Sequence, residues 1–506
     1  MNRHHFWLAI SAVISGSVLP AYSAIVTTNP PPMEIVVCTK TADVSGLLTQ
    51  YGLTPKFTYH LAFNGFAAPM DDATAGKLMQ DSRVISVEHD APVVPADQYI
   101  GAGFIRMGIS NFPVAHIDGG DHRINVNVAV LDTGIQTNHP DLNVVTNVDF
   151  TESGNNGEDW NGHGTLVAGI IGALNNNIGV VGVAPGVNLF DLEGLGPINS
   201  NWTTILAAVE YILVNPQLNI EVVNCSFIGT TTAPYGAINL AFQELVNAGV
   251  VVVAAVGNST LDIAGQDGVF GTDDDILPAA LPQVMAVSAM NPTNDTIASF
   301  SNFSQIPRTN NFSFNPNSTN DVFSPGGAID VAAPGVNILS TYTNSGYAFQ
   351  SGTSLACPHV VGLVALYIAA NGRPTNAAGV YAIRQAIINN SLPQSQWMPN
   401  GQPFNSVSNP TGDPDTNHEP LAMPSLNWVP PPFISGAGKV LDGFQVGFSA
   451  VPGYDYTVQS ATALGSSILW TNLSTISGNG FVAPASVTDT NLNSSGFYRL
   501  SRQPSP

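Results

Sequence analysis

Cysteine is scarce in this chain: 506 residues hold three, at positions 38, 225 and 357. So few exclude a disulfide scaffold. Cys225 and Cys357 pair only if the fold brings them together, and the apolar surroundings of both favour buried free thiols. Positive charge is scarce too. Lys and Arg number 13 against 35 Asp and Glu, a net charge of −22. Such a surface repels nucleic acid and anionic lipid, so neither is an expected partner. Charge of any kind is thin, at 9% of residues, while Asn, Ser, Thr and Gly abound. That is a neutral-polar surface of the kind many exported proteins carry. Long apolar runs are missing as well. The run Phe6–Ile14 follows a weakly basic lead and is cut short by Gly16 and Pro20, well under the roughly 20 residues a membrane span needs. It reads as a signal peptide over residues 1–23, cleaved after Ala21-Tyr22-Ser23 and ahead of Ala24. No other stretch reads as long enough to span a bilayer, so no membrane association is expected after export.

Apolar residues are plentiful at 44%, enough for large cores, and the length suggests roughly three domains. After a Pro- and Asn-rich start, Glu34–Cys38, Ala62–Ala68 and Val84–Glu88 read as strands and Asp71–Gln80 as a helix, a small α/β unit over residues 24–97. Pro92 and Pro95 mark an accessible joint near residues 94–98. Beyond it, strand and helix signals alternate. Ile124–Leu131, Ile220–Asn224 and Gly249–Ala255 read as buried strands, and Leu206–Val214 and Tyr235–Ala248 as helices. This predicts an α/β domain over residues 98–425, with a mostly parallel sheet covered by helices on both faces. Residues 426–432 end in three prolines and read as a linker. From residue 433 to 506 short strands without helices predict a small all-β sandwich, with no His or Cys to do chemistry.

The chemistry gathers at one stretch, Gln350-Ser351-Gly352-Thr353-Ser354-Leu355-Ala356-Cys357-Pro358-His359. Small residues run into the uncharged apolar segment Val360–Ala370, a tight loop opening a buried helix. Ser354 then sits at a helix N-terminus, where free N–H groups favour developing negative charge. By itself this is equally an ordinary helix start capped by Ser or Thr. Two upstream stretches change the balance: Val130-Leu131-Asp132-Thr133-Gly134 and Asn161-Gly162-His163-Gly164-Thr165. Asp132 follows a predicted strand, and in parallel sheets functional groups gather at carboxyl ends. In the order Asp, His, Ser the three motifs resemble the subtilisin-like serine proteases, over about residues 98–425. That order is the one known for subtilisin.

The resemblance implies an Asp132–His163–Ser354 triad, with His163 the base, Asp132 its orienting carboxylate and Ser354 the nucleophile. It implies that Asn258, in Ala254-Ala255-Val256-Gly257-Asn258, donates to the oxyanion. It also implies that peptide binds as an added strand between Ser226-Phe227-Ile228 and Ala255-Val256-Gly257. Ile228 stands where the family usually has glycine, and Asp191-Leu192-Glu193-Gly194 departs from the family's usual strand; both put specificity, not reaction, in question. Ala173–Val180 resembles the family's calcium loop. The implied ligands are the carbonyls of Leu174, Ile178 and Val180, the side chain of Asn176 and the Asp141 carboxylate, with Gln98 a weaker candidate; hard oxygens suit Ca²⁺. Asp267–Asp275 is an acidic loop that either binds another ion or is a solvated turn. Phe63–Ala68 and Asp81–Asp90 resemble the family's inhibitory propeptide, which assists folding and blocks the cleft until cut. The last domain, ending Gly496-Phe497-Tyr498-Arg499-Leu500, resembles β modules appended to secreted bacterial enzymes.

The reading is therefore a secreted, self-processing serine endopeptidase acting on protein or peptide substrates, with its own propeptide as intramolecular inhibitor. Two other readings compete: a non-catalytic surface protein that keeps the fold for binding, and an esterase using the same triad. The intact catalytic positions argue against the first. The propeptide resemblance and the peptide-edge segments argue against the second.

Overall fold

A computed structural model describes residues 32–504 apart from 91–97, 155, 198–199, 232–235, 306–327, 402–410, 430–433, 441–442, 453, 462–469, 479–482 and 491–496. The expected signal peptide and the residues of the joint up to 97 lie outside the described residues. The chain divides into two compact units, residues 1–91 and 92–506.

In the first unit β1 (Met33–Cys38), α1 (Val44–Tyr51), β2 (Phe57–Tyr59), β3 (Asn64–Pro69), α2 (Asp72–Leu78) and β4 (Val84–His89) build a four-stranded sheet of order β2-β3-β1-β4. β1 alternates half-buried and buried residues, the period of a strand with one face on a core. Val36, Leu47, Phe66 and Leu78 fill that core. Asp71 caps α2 by accepting from the Thr74 N–H at 2.8 Å, one of the donors a helix start leaves free. The helix α1 and the short strand β2 had no clear sequence signal.

The second unit runs α3 (Ala102–Met107), β5 (Asn127–Asp132), β6 (Val144–Asp149), α4 (His163–Gly172), β7 (Asn188–Glu193), α5 (Trp202–Val214), β8 (Val222–Cys225), α6 (Gly236–Asn247), β9 (Val251–Ala255), β10 (Met285–Asn291), β11 (Thr296–Ile297), β12 (Val331–Pro334), β13 (Ile338–Tyr342), β14 (Gly346–Gln350), α7 (Thr353–Asn371) and α8 (Ala377–Asn390). The sheet has the order β11-β10-β9-β8-β5-β7-β6, with β12 also on β10. All its pairings are parallel except β10 with β11. β5 begins at Asn127, later than the apolar run from Ile124 suggested. Parallel strands buried on both faces read as continuous apolar runs, and all five residues of β9 are buried. α4 and α7 pack on one another and on the sheet, as α5 and α6 pack on one another.

α7 runs through the core, with 16 of its 19 residues buried. By length and apolar composition it matches a membrane span, which corrects the expectation that no second stretch reached that size. Its burial accounts for the composition: a helix apolar all round belongs in a core or a bilayer, and this one is sheathed by protein.

The three cysteines are free and buried. Cys357 Sγ contacts Asn224 Oδ1 at 3.3 Å and Val253 O at 3.4 Å, and burial pushes its thiol up to about 12. Of the stretch read as a linker, Leu426–Trp428 forms a 3₁₀ turn, and Trp428 packs edge-on against Phe112 and Tyr367. Beyond it β15 (Ile434–Val440), β16 (Gly443–Ala450), β17 (Tyr454–Ala461), β18 (Thr471–Ser477), β19 (Ala483–Asp489) and β20 (Phe497–Pro504) form two three-stranded antiparallel sheets, β15-β16-β19 and β18-β17-β20. Strands β15 and β19 were not anticipated.

Candidate active site

β5, β8 and β9 run parallel and adjacent, so their carboxyl ends share one rim of the sheet. Asp132 ends β5, Ser226 follows β8, and Asn258 stands three residues past β9. α4 opens at His163 and α7 at Thr353. A fold of this kind gathers ligand groups at the rim because side chains beyond the last ladder bond are free to face a crevice.

Asp132 is fully buried. Its Oδ1 accepts from His163 Nδ1 at 2.7 Å and from the Thr133 N–H at 2.8 Å. Two glycines allow the close approach. A Cβ on Gly164 would lie 2.0 Å from the Gly134 carbonyl oxygen, so only glycine fits where the two motif loops touch. The Gly164 N–H also donates to Thr133 Oγ1 at 3.0 Å. Burial pulls the His163 imidazole towards its neutral form. The Asp132 charge and hydrogen bond, with Asp159 adding to them, outweigh it and hold the pKa above its usual value.

Asp159, which the sequence reading passed over, shapes this loop. Its Oδ1 accepts from Gly162 N at 2.8 Å, Asn161 N at 3.0 Å and Thr133 Oγ1 at 2.9 Å. Its Oδ2 takes the Thr165 N–H at 2.9 Å and hydroxyl at 2.7 Å. The residue at the N-cap of α4, Gly162, has no side chain to offer, so Asp159 reaches in from outside the helix, and nothing local in the sequence announces that role.

Ser354 lies in the first turn of α7, where backbone N–H groups lack intrahelical acceptors. Pro358 has no N–H to give to the Ser354 carbonyl four residues back. Ser226 Oγ donates to that carbonyl instead, at 2.9 Å, tying β8 to the helix start. Asn258 is oriented by Thr353: the Thr353 N–H and hydroxyl both donate to Asn258 Oδ1, each at 2.8 Å. This leaves the amide's Nδ2 to point elsewhere. A Cβ on Gly352 would fall 3.0 Å from Ser354 Oγ and 3.3 Å from Asn258 Nδ2. The side chain missing at 352 thus leaves a small cradle bordered by a hydroxyl and an amide donor. Among the described residues no hydrogen bond joins Ser354 Oγ to His163 Nε2; such contacts are often long without substrate and tighten in the Michaelis complex.

The two predicted peptide edges differ. Ala255 and Val256 are buried. The Val256 N–H donates to Val287 O at 3.2 Å, and its carbonyl accepts from Asn302 Nδ2 at 2.8 Å. The Gly257 N–H donates to Thr353 Oγ1 at 3.0 Å, and its carbonyl accepts from Asn302 N at 3.0 Å. These backbone groups are spent inside the protein, so the segment walls the crevice and offers no ladder bonds at Val256 or Gly257. That corrects the symmetric two-edge expectation. On the other edge Ser226 is buried and Ile228 is exposed. Ile228 also leans across: a Cβ on Gly257 would stand 3.1 Å from Ile228 Cδ1. Beside Phe227 and Ile228 a cavity of about 290 Å³ is lined by Leu195, Trp202, Ile205 and Gly229.

The calcium candidates come together. The buried Asp141 carboxylate accepts from Asn176 Nδ2 at 3.0 Å, Val180 N at 3.2 Å and Tyr347 Oη at 3.2 Å. Burial pushes it up to about 7 against those hydrogen bonds. Gln98 Nε2 donates to the carbonyls of Leu174 at 2.5 Å and Val180 at 2.8 Å. Ile178 lies in the same loop and is exposed. In the acidic loop the carboxylates serve their own backbone: Asp274 Oδ2 accepts from Gln266 N and Asp275 Oδ2 from Gly271 N, at 2.6 and 2.7 Å.

An imidazole held by a buried carboxylate, with a serine and an amide donor at a helix start, defines a serine hydrolase of the α/β class. A family model described as "Subtilase family" matches residues 123–419, and one described as "Peptidase inhibitor I9" matches residues 41–95. The chain belongs to the subtilase family: it is a subtilisin-like serine endopeptidase carrying an inhibitor-type propeptide segment. It is 36% identical over 318 residues to Subtilisin NAT of Bacillus subtilis subsp. natto, covering 62% of this chain and 73% of that one. It is 37% identical over 287 residues to M-protease of Shouchella clausii (56% and 64%), and 38% over 277 residues to Subtilisin of Bacillus pumilus (54% and 88%). A solved structure of a cold adapted subtilisin-like serine proteinase aligns with a TM-score of 0.43 at 26% identity, covering 60% of this chain and 90% of that one.

Proposed function

We propose that the chain is a secreted zymogen that hydrolyses peptide bonds through an acyl-enzyme on Ser354. The observation that carries this is the 2.7 Å bond between His163 Nδ1 and the buried Asp132. That bond directs the ring's other nitrogen to receive a proton. Ser354 Oγ attacks the scissile carbonyl as its proton passes to His163 Nε2, and Asp132 balances the imidazolium. The carbonyl electrons collect on an oxyanion, met by Asn258 Nδ2 and the Ser354 N–H. The tetrahedral adduct collapses, the C–N bond breaks, and His163 returns the proton to the leaving amine. Water then repeats the sequence on the ester. Labelling with an organophosphorus serine reagent tests this. One adduct is expected, on the peptide holding Ser354, and none in His163→Ala. No label on the native chain would leave only the surface-protein reading.

The amide donor has its own test. Asn258→Ala should lower kcat by about 10²–10³-fold with little change in KM, a figure that comes from subtilisin. Asn258→Asp keeps the acceptor for Thr353 and loses the N–H₂ donor. Steady-state kinetics should find it no better than alanine, which separates oxyanion stabilisation from support of Thr353.

Residues 1–23 would direct export and be removed. Residues 24–97 would hold the cleft shut until cleavage near the joint, leaving 98–425 as the catalytic domain. The linker 426–432 and the β module 433–506 would follow. A calcium ion would be held by Asp141, Asn176, the carbonyls of Leu174, Ile178 and Val180, and Gln98. The donor set supports it: the N–H₂ groups of Gln98 and Asn176 stand against two carbonyls and a carboxylate, where a hard cation would supply positive charge. When bound, the ion crosslinks the loop. A ligand at a hundred times its Kd stabilises by about 2.7 kcal/mol. Chelation should therefore lower the Tm by about 5 °C, and Asp141→Asn should abolish that sensitivity in calorimetry.

A further inference from the structure

The loop between α3 and β5 holds a cluster that the catalytic reading does not use. His116, Asp118 and His122 place one ligand atom each within 4.8 Å of one another, and no other group of three His, Cys, Asp or Glu does so among the described residues. Both imidazoles turn to a single oxygen. His116 Nε2 is 3.1 Å and His122 Nε2 is 3.6 Å from Asp118 Oδ2. Zinc bonds of 2.0–2.2 Å in a tetrahedron put neighbouring ligand atoms about 3.3 Å apart, so both spacings are those of tetrahedral edges.

The backbone builds this convergence. Gly119, with φ +82°, makes the turn. A Cβ on Gly120 would sit 2.8 Å from His122 Nε2, so its absence lets the ring fold back over the turn. The His122 ring then stacks on His116, with centroids 3.9 Å apart and planes at 21°. Asp118 Oδ1 is spent on Gly120 N at 2.9 Å and Asn175 Nδ2 at 3.2 Å. That fixes the carboxylate and turns Oδ2 to the two rings. His116 itself adopts left-handed backbone, φ +50°, a conformation seldom taken outside glycine. Its carbonyl is held by Asn175 Nδ2 at 2.8 Å.

We propose that His116 Nε2, His122 Nε2 and Asp118 Oδ2 form a binding site for a divalent transition metal of the zinc class, with a fourth position open to water. Two neutral imidazoles and a carboxylate suit Zn²⁺. The site is a structural clamp and needs none of the catalytic reading. It grips the Asn175–Asn177 loop: Gly119 N donates to Asn175 Oδ1 at 3.1 Å, and Asn177 Nδ2 donates to Gly119 O at 2.7 Å. A metal here pins residues 116–122 to the loop that carries Leu174, Asn176, Ile178 and Val180.

The test uses full-length Ser354→Ala protein, calcium-saturated and free of chelator, titrated with ZnCl₂ in a calorimeter. Zinc should bind one-to-one at this site and raise the Tm. In His122→Ala, whose ring is half-exposed, that binding should weaken at least about tenfold and the Tm rise should vanish. Asp118→Asn should behave likewise, and His89→Ala, an exposed histidine elsewhere, should bind as the parent does. Co²⁺ in place of Zn²⁺ should give the visible d–d bands of a four-coordinate ion, lost in His122→Ala. Zinc binding weaker than about 1 mM, or an isotherm unchanged by His122→Ala, would overturn the site.

Discussion

Ser354→Ala should leave the full-length chain uncut and without peptidase activity, a loss of about 10⁶-fold in kcat. That figure is the one known for removing the nucleophile of subtilisin. The size follows from the chemistry. Alanine offers no oxygen to form the ester, so only binding and the oxyanion donors remain to speed the attack of water. The substitution removes one half-buried hydroxyl, and neither the Ser226–Ser354 carbonyl bond nor the Pro358 helix start depends on it. Folding should therefore persist, as circular dichroism can show. Mass spectrometry of the purified variant checks processing: the precursor's junction near residues 94–98 should remain intact. If the alanine chain matures as the parent does in a cell-free preparation, cleavage comes from another protease and self-processing is wrong.

Asp132→Asn should cost about 10⁴-fold in kcat, the scale known for the same carboxylate-to-amide change in the chymotrypsin-type triad. The amide keeps the size of the carboxylate but turns a donor towards His163 Nδ1, favouring the wrong tautomer. It also removes the charge that holds the imidazole pKa above its usual value. The sign is definite. His163 acts as a base only when neutral, so activity is lost as pH falls through its pKa, and the acid limb of kcat/KM should lie above about 6.5. In Asp132→Asn burial is left to act with less opposition, so the residual activity's limb should move to lower pH. Stability runs the other way. A histidine with a raised folded pKa contributes fully below its unfolded value of about 6.5, and that contribution fades as pH rises through the folded pKa. A pH–rate profile in which the limb stays put would show that Asp132 does not govern the imidazole.

Much of this was legible because it is local. A continuous apolar run marked β9 and a shorter apolar stretch β8, the motif glycines marked the end of β5 and the start of α7, and a change to short strands with turn signals marked the last module, whereas the helix α4 that opens at His163 was not anticipated. The illegible parts depend on partners distant in the chain. β2 is three residues long and, among the described residues, pairs only with β3. Asp159 reads as an ordinary polar residue until its five hydrogen bonds are seen. The wall Val256-Gly257 looked like a free edge because nothing in its own residues announces Asn302 or Thr353. The spacing His116-x-Asp118-x₃-His122 was visible, but only the Gly119–Gly120 turn brings the rings face to face.

The amino-acid sequence by itself determined which segments become strands and helices, and which chemical groups stand at their ends. Side-chain periodicity and backbone freedom at glycine and proline act within a few residues. Tertiary structure alone decided which of those ends meet: Asp132 with His163 across 31 positions, Thr353 with Asn258 across 95, Ile228 over Gly257. Parallel strands are joined by long crossovers, so the rim of the sheet assembles groups that no local pattern relates.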